Sequence, residues 1–174
     1  MAGNLFREAL IAMAVCPQTP HALEAEGDVR NTRCRRPSGA TDILTIGANP
    51  TPVVYLSGLF QRFGWTVHAA VNLEDAIDFL QEHKAAVAIC EETLPDGTWR
   101  DAERILNSFP NAPMFVVIGS DRTILDEVLA VGGFDVLTRP LRESEVIWPV
   151  ASAWHQWMKR FQSQDTGGPP CSDA

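Results

Sequence analysis

The sequence predicts an α/β fold, a doubly wound five-stranded parallel sheet with helices on both faces. Two observations carry this expectation. From residue 42 to residue 160, short apolar runs alternate with longer segments whose apolar residues recur at helical spacing, in the lengths of repeated strand–helix units. The third run, Ala85–Cys90, is apolar throughout, as a central parallel strand covered on both faces requires. Size agrees, since 174 residues with 45% hydrophobic content suffice for one domain with its own core.

Residues 1–40 stand apart as an N-terminal extension. Asn4 is placed to cap a short helix with Leu5, Phe6, Ala9, Leu10 and Met13 on one face, ended by Pro17 and Pro20. The polar stretch that follows, with Arg30, Arg33, Arg35 and Arg36, has the composition of a poorly ordered linker. The domain proper is expected over 41–162. It opens with strand Ile43–Ile46, a helix over Thr51–Phe63 with Val53, Leu56, Leu59, Phe60 and Phe63 at helical spacing, and strand Trp65–Ala70. Asn72 caps the next helix, with Asp75 reaching back as in a capping box, and Ala76, Ile77, Phe79 and Leu80 form its apolar face.

After Ala85–Cys90, the turn Pro95-Asp96-Gly97 leads into a helix over Trp99–Phe109. Met114–Ile118 is the fourth strand, Arg122–Val131 a helix closed by Gly132-Gly133, Phe134–Leu137 the fifth strand, and Glu143–Phe161 the last helix. Pro149 predicts a kink or a broken first turn near Val146. Residues 163–174, with Gly167-Gly168-Pro169-Pro170, read as a disordered tail.

Charge and cysteines bound the function classes. A net charge of −8 disfavours direct contact with nucleic acid. No apolar run approaches the roughly 20 residues needed to span a bilayer. Leu10–Val15 is too short and Glu8 unsuited to a secretory signal, so a cytoplasmic location is expected. Cys16, Cys34, Cys90 and Cys171 form no CxxC pair and lack histidines at ligand spacing, so no metal site and no cofactor are expected. Cys34 lies among arginines and reads as a free thiol in a basic linker, whereas Cys90 reads as a small core residue.

Residues 42–160 resemble the receiver domains of bacterial response regulators. The resemblance rests on Ala88-Ile89-Cys90-Glu91-Glu92-Thr93-Leu94-Pro95-Asp96-Gly97, on Gly132-Gly133-Phe134-Asp135-Val136-Leu137-Thr138-Arg139-Pro140, and on their separation. It implies the flavodoxin-like receiver fold. It also implies a site in which an aspartate ending the third strand takes a phosphoryl group, two acidic residues after the first strand help hold Mg²⁺, and a hydroxyl residue and a lysine bind the phosphoryl oxygens.

Against that pattern, the acidic pair falls at Gly47 and Ala48 and the aspartate position is Glu91, followed by Glu92. The hydroxyl position falls near Ile118, with Ser120 the alternative, and Arg139 stands for the lysine before Pro140, where the family has a cis peptide. The switch aromatic of the fifth strand is replaced by Val136. Mg²⁺ demands near-octahedral oxygen coordination, and a carboxylate misplaced by ~1 Å can cost on the order of a hundredfold in rate. The expected module is therefore a pseudo-receiver, not an enzyme, with no catalytic residue and no metal. An arginine suits bidentate pairing with a carboxylate, so a Glu91–Arg139 pair could imitate the phosphorylated state.

Trp148, Trp154 and Trp157 are more than one helix needs for its own core, and at least one is expected to be exposed at an interface. The expected partner is a protein (a signalling kinase, a regulator or a second copy as a homodimer) met through the last helix, with no membrane and no direct nucleic-acid contact. Trp99 is placed to shield the degenerate pocket, and Asp96 and Asp121 read as plain loop acids. His68, His83 and His155 read as surface residues without a phosphorelay role. No DNA-binding domain is expected after the receiver. Two alternatives stay open: a receiver phosphorylated through Glu91, Glu92 or Asp96 with a displaced metal, and a small-ligand binder using the vacated pocket at the carboxyl ends of the strands.

Overall fold

The computed structural model describes residues 42–165, with side chains through Arg160. The expected N-terminal helix and linker over 1–40, and most of the expected tail, lie outside the described residues. The elements run β1 (Asp42–Ile46), α1 (Pro50–Gln61), β2 (Thr66–Ala70), α2 (Leu73–Glu82), β3 (Val87–Glu91), β4 (Thr93–Leu94), β5 (Gly97–Thr98), α3 (Trp99–Leu106), β6 (Met114–Gly119), α4 (Leu125–Val131), β7 (Asp135–Thr138) and α5 (Glu143–Asp165). Five strands form one parallel sheet in the order β2-β1-β3-β6-β7. This is the doubly wound architecture expected from the alternating pattern.

Strand alternation divides the core in two. On one face Ile43, Val87, Ile89, Val116 and Leu137 pack with Leu56, Leu59 and Phe60 of α1 and Val146, Val150, Trp154 and Trp157 of α5. On the other, Leu44, Ile46, Ala88, Cys90, Val117 and Val136 pack with Ala76 of α2, Trp99, Ala102 and Leu106 of α3, and Val128 of α4. β3 and β6 are buried along their whole length, which explains their unbroken apolar runs.

Several local expectations need correction. Helix α1 starts at Pro50, not Thr51, because the Asn49 side chain accepts the Thr51 N–H at 3.0 Å and Pro50 suits the first helical position. Asp75 accepts the N–H of Val71 at 3.1 Å, one residue before the position of a capping box, while Asn72 caps the Asp75 N–H at 2.8 Å. Helix α3 stops at Leu106, short of Phe109. Helix α4 starts three residues later than expected: Asp121 accepts the N–H and hydroxyl of Thr123, a local turn that competes with helix. Its end at Gly132 holds, with a left-handed φ of 105° that a glycine adopts without strain.

Helix α5 is not broken by Pro149. It runs without interruption from Glu143 to Asp165, four residues beyond the expected end at Phe161. The one lost N–H bond is outweighed by the burial of Val146, Pro149, Val150 and Ala153 on its sheet side. Among the described residues no helix is long and apolar enough to cross a membrane.

Candidate functional site

The order of the strands reverses between β1 and β3, where doubly wound sheets open a crevice at their carboxyl ends. An open cleft of about 400 Å³ lies there, lined by Ala48 and Asn49 after β1, Glu91, Glu92 and Thr93 at the end of β3, Ile118, Gly119 and Ser120 at the end of β6, and Arg139 after β7. Glu91 ends β3, pairs in register with Ile118 of β6, and follows the alternation of Val87 and Ile89 toward the α1–α5 side. Arg139 follows β7, held by a bond from its N–H to the Gly119 carbonyl at 3.2 Å and leading into a cis peptide to Pro140, as expected.

The Glu91 carboxylate has two partners. One oxygen forms an ion pair with the Arg139 guanidinium, and the other accepts the Asn49 N–H at 3.3 Å. The side chain of Glu91 is 11% exposed and that of Arg139 46%, so the acid is enclosed while the base reaches into the open cleft. Gly47 makes this conformation available. A Cβ at position 47 would lie 2.6 Å from Glu91 Cγ and 2.7 Å from its Cδ, inside contact distance. The longer acid folds into space that exists only because residue 47 has no side chain.

Other expected site residues fall differently. Glu92 and Ile118 line the cleft, Ile118 being almost wholly buried, and Ser120 is exposed at the rim. Val136 is buried in the core on the α2–α4 side. Trp99 does not shield the pocket: it is packed with Leu94, Ala102 and Leu106 beneath α3, on the other face of the sheet. Of the three tryptophans on α5, Trp148 is 63% exposed, whereas Trp154 and Trp157, at 7% and 2%, belong to the core. Cys90 is a buried thiol whose pKa is pushed far up by burial, and so is unreactive. His83 and His155 are exposed and His68 half-buried beside Asp42 at 3.4 Å.

Two features escaped the sequence reading. Asp96 is not a plain loop acid. It sits at the turn of the ribbon β4–β5 and accepts the Leu73 N–H with both oxygens, at 3.0 and 2.9 Å, and the Glu74 N–H at 3.2 Å. It thereby satisfies the amino end of α2 from across the fold and fixes the segment that follows Glu91. Glu103 is buried on α3, where burial pushes its carboxyl up despite a bond from the Asn107 side chain at 2.9 Å. Neither has a local signal, because both depend on a neighbour far away in sequence or on which helix face is covered. Asn49 did have one, the Asn-Pro start of a helix. Among the described residues, no group of three or more His, Cys, Asp or Glu side chains is arranged to hold a metal ion.

The order 2-1-3-4-5 of the main strands, their flanking helices and the crevice after β3 define the receiver-domain fold. Solved structures share it. A signal receiver domain of an HD domain-containing protein from Pseudomonas fluorescens Pf-5 matches with a TM-score of 0.61 at 17% identity, over 80% of this chain and 98% of that one. A chemotaxis response regulator of Vibrio cholerae matches with a TM-score of 0.60 at 15% identity, over 65% and 98%. A two-component response regulator from Clostridium difficile matches at 26% identity with a TM-score of 0.57, over 68% and 98%. No family model matches the chain, and no curated protein does.

Proposed function

We propose that this chain is a receiver-like signalling module that acts by protein–protein contact and does not depend on phosphorylation. The observation that carries the reading is the occupancy of its own crevice: Glu91 is folded over Gly47 and engaged by Arg139 and the Asn49 N–H. Gly47 and Ala48 offer no side-chain oxygen where the receiver resemblance places a metal-binding acidic pair. A hard divalent cation would have to be held by Glu92, backbone carbonyls and a carboxylate already neutralised by a guanidinium, a poor donor set for octahedral Mg²⁺. The internal ion pair stands in for the charged adduct, so the module has one state of its pocket to present to partners.

An anionic small ligand is a weaker reading. Helix α1 begins Pro50-Thr51-Pro52, so two of its first three positions lack an N–H, and the Thr51 N–H is taken by Asn49. Arg139 would also have to leave Glu91 to bind the ligand.

The test is the intact mass of the full chain after incubation with Mg²⁺ and acetyl phosphate. The expected result is no change. An adduct of one phosphoryl group, released by hydroxylamine as an acyl phosphate is, overturns the proposal.

A further inference from the structure

The parallel sheet has an edge at β7 and an edge at β2, and the two are built differently. The Arg139 N–H donates to the Gly119 carbonyl, and alternation from there turns the N–H and carbonyl of Val136 away from β6. Side chains take up both groups. The N–H donates to the Asp135 carboxylate at 2.7 Å, and the carbonyl accepts from the Arg122 guanidinium at 3.4 Å. Covering of this kind keeps an edge from pairing with another chain.

The β2 edge lacks such cover. The Gly47 N–H donates to the Ala70 carbonyl at 2.9 Å, so Thr66, His68 and Ala70 turn their backbone groups to β1, and Val67 and Ala69 turn theirs outward. Beyond them the Trp65 N–H is held by the Phe60 carbonyl and the Val71 N–H by the Asp75 carboxylate. Among the described residues no side chain bonds the N–H or carbonyl of Val67 or Ala69, and Ala69 is exposed. The strand reads Thr-Val-His-Ala-Ala, with no lysine, no proline and an unbroken register to β1. The usual safeguards of an open edge are missing from it.

Helix α2 gives this edge its charge. Phe79 rests against His68, ring centroids 4.7 Å apart. Beside Phe79, Asp75, Asp78 and Glu82 are exposed along one helix face. The helix has no lysine or arginine, and among the described residues none of its acids forms an ion pair. Asp42, 3.4 Å from His68, adds a further carboxylate at the start of β1. Two copies joined through β2 would set this acidic row against its own image, whereas a basic segment is attracted to it.

We infer that the β2 edge accepts an added strand, an extended segment of a partner protein in which lysine or arginine alternates with β-branched apolar residues. Its basic side chains lie on the α2 side, over Asp75, Asp78 and Glu82, and its apolar ones on the α1 side, beside Val67 and Ala69. Backbone bonds to Val67 and Ala69 hold the segment, and the alternation selects it. The inference rests on the reading of the chain as a contact-based signalling module and supplies the chemistry of its partner. So short an edge binds weakly, with a dissociation constant on the order of a hundred micromolar.

The test titrates a hexapeptide of alternating lysine and valine into the full chain, followed by calorimetry and amide hydrogen exchange. Binding near that constant is expected, with slowed exchange at Val67 and Ala69. A peptide of the same composition, its lysines in one block and its valines in another, is expected to bind about tenfold more weakly. Asp78→Lys and Glu82→Lys should each weaken the alternating peptide about threefold. Ala69→Pro, which removes an edge N–H, should abolish binding. Unchanged urea midpoints for the two charge variants exclude unfolding as their cause. Absence of binding, equal binding of the block peptide, charge variants that bind like wild type, or unchanged exchange at Val67 and Ala69 overturns the proposal. Self-association without peptide that slows those same amides gives the edge to a second copy and overturns it too. The phosphoryl-adduct assay is independent: no binding and no adduct sinks the basic partner and leaves the functional reading, while binding with an adduct does the reverse.

Discussion

Replacing Arg139 by alanine removes the guanidinium from a carboxylate that is only 11% exposed. What remains for Glu91 is one N–H, from Asn49, at 3.3 Å. Breaking a fully buried pair by deleting one partner costs 3–5 kcal/mol as a rule of thumb, about as much as a large core truncation. Arg139 is 46% exposed, so water can enter where it stood, and the expected loss falls to about 1–3 kcal/mol. With a urea m-value of about 2 kcal/mol/M for a domain of this size, the midpoint should drop by roughly 0.5–1.5 M. The control is Glu91→Gln, which keeps the shape and removes the charge. In that background Arg139→Ala should cost less than about 1 kcal/mol, giving a coupling near 1–2 kcal/mol in the double-mutant cycle. An unchanged midpoint for Arg139→Ala, or additive effects in the cycle, would refute the internal ion pair as a structural feature of the site.

Two further outcomes follow from residues outside that pair. Asp96→Ala should cost about 1–2 kcal/mol by leaving the Leu73 and Glu74 N–H groups without their acceptor, with faster amide exchange at both; normal protection at both would contradict this. Glu103→Gln should raise stability at neutral pH. Its folded pKa is raised above the ordinary 4.5 by burial, so between those two values the native state holds a proton that the unfolded chain has released. Above them folding has to bury the charged carboxylate. The stability tied to that proton is full below about 4.5 and is lost as pH rises through the folded value. The advantage of the glutamine variant should accordingly appear above that window and vanish in acid, and a pH-independent difference in midpoints would count against burial as the cause.

The apolar runs located each strand that matters to the site, because parallel strands buried on both faces must be apolar along their length. Val87–Glu91 and Met114–Gly119 could hardly be read as anything else. Element ends were less legible. The start of α4 depended on a competition between Asp121 and the helix, and the continuity of α5 through Pro149 on how much apolar surface lay beneath it. Neither competition is decided by local preference. The tryptophans make the same point, since Trp148, Trp154 and Trp157 share one helix and only the direction of the sheet separates a core residue from an exposed one.

By itself the sequence determined the fold and the composition of the crevice, because strand and helix periods are local and the Glu91 and Arg139 motifs lie at strand ends. It could propose that these two meet. Only the tertiary structure decided that Glu91 turns back over Gly47, that Asp96 closes the end of α2, and that Trp99 packs away from the cleft. Each depends on residues more than twenty positions apart arriving at one point, and that arrangement is a property of packed layers, not of any segment.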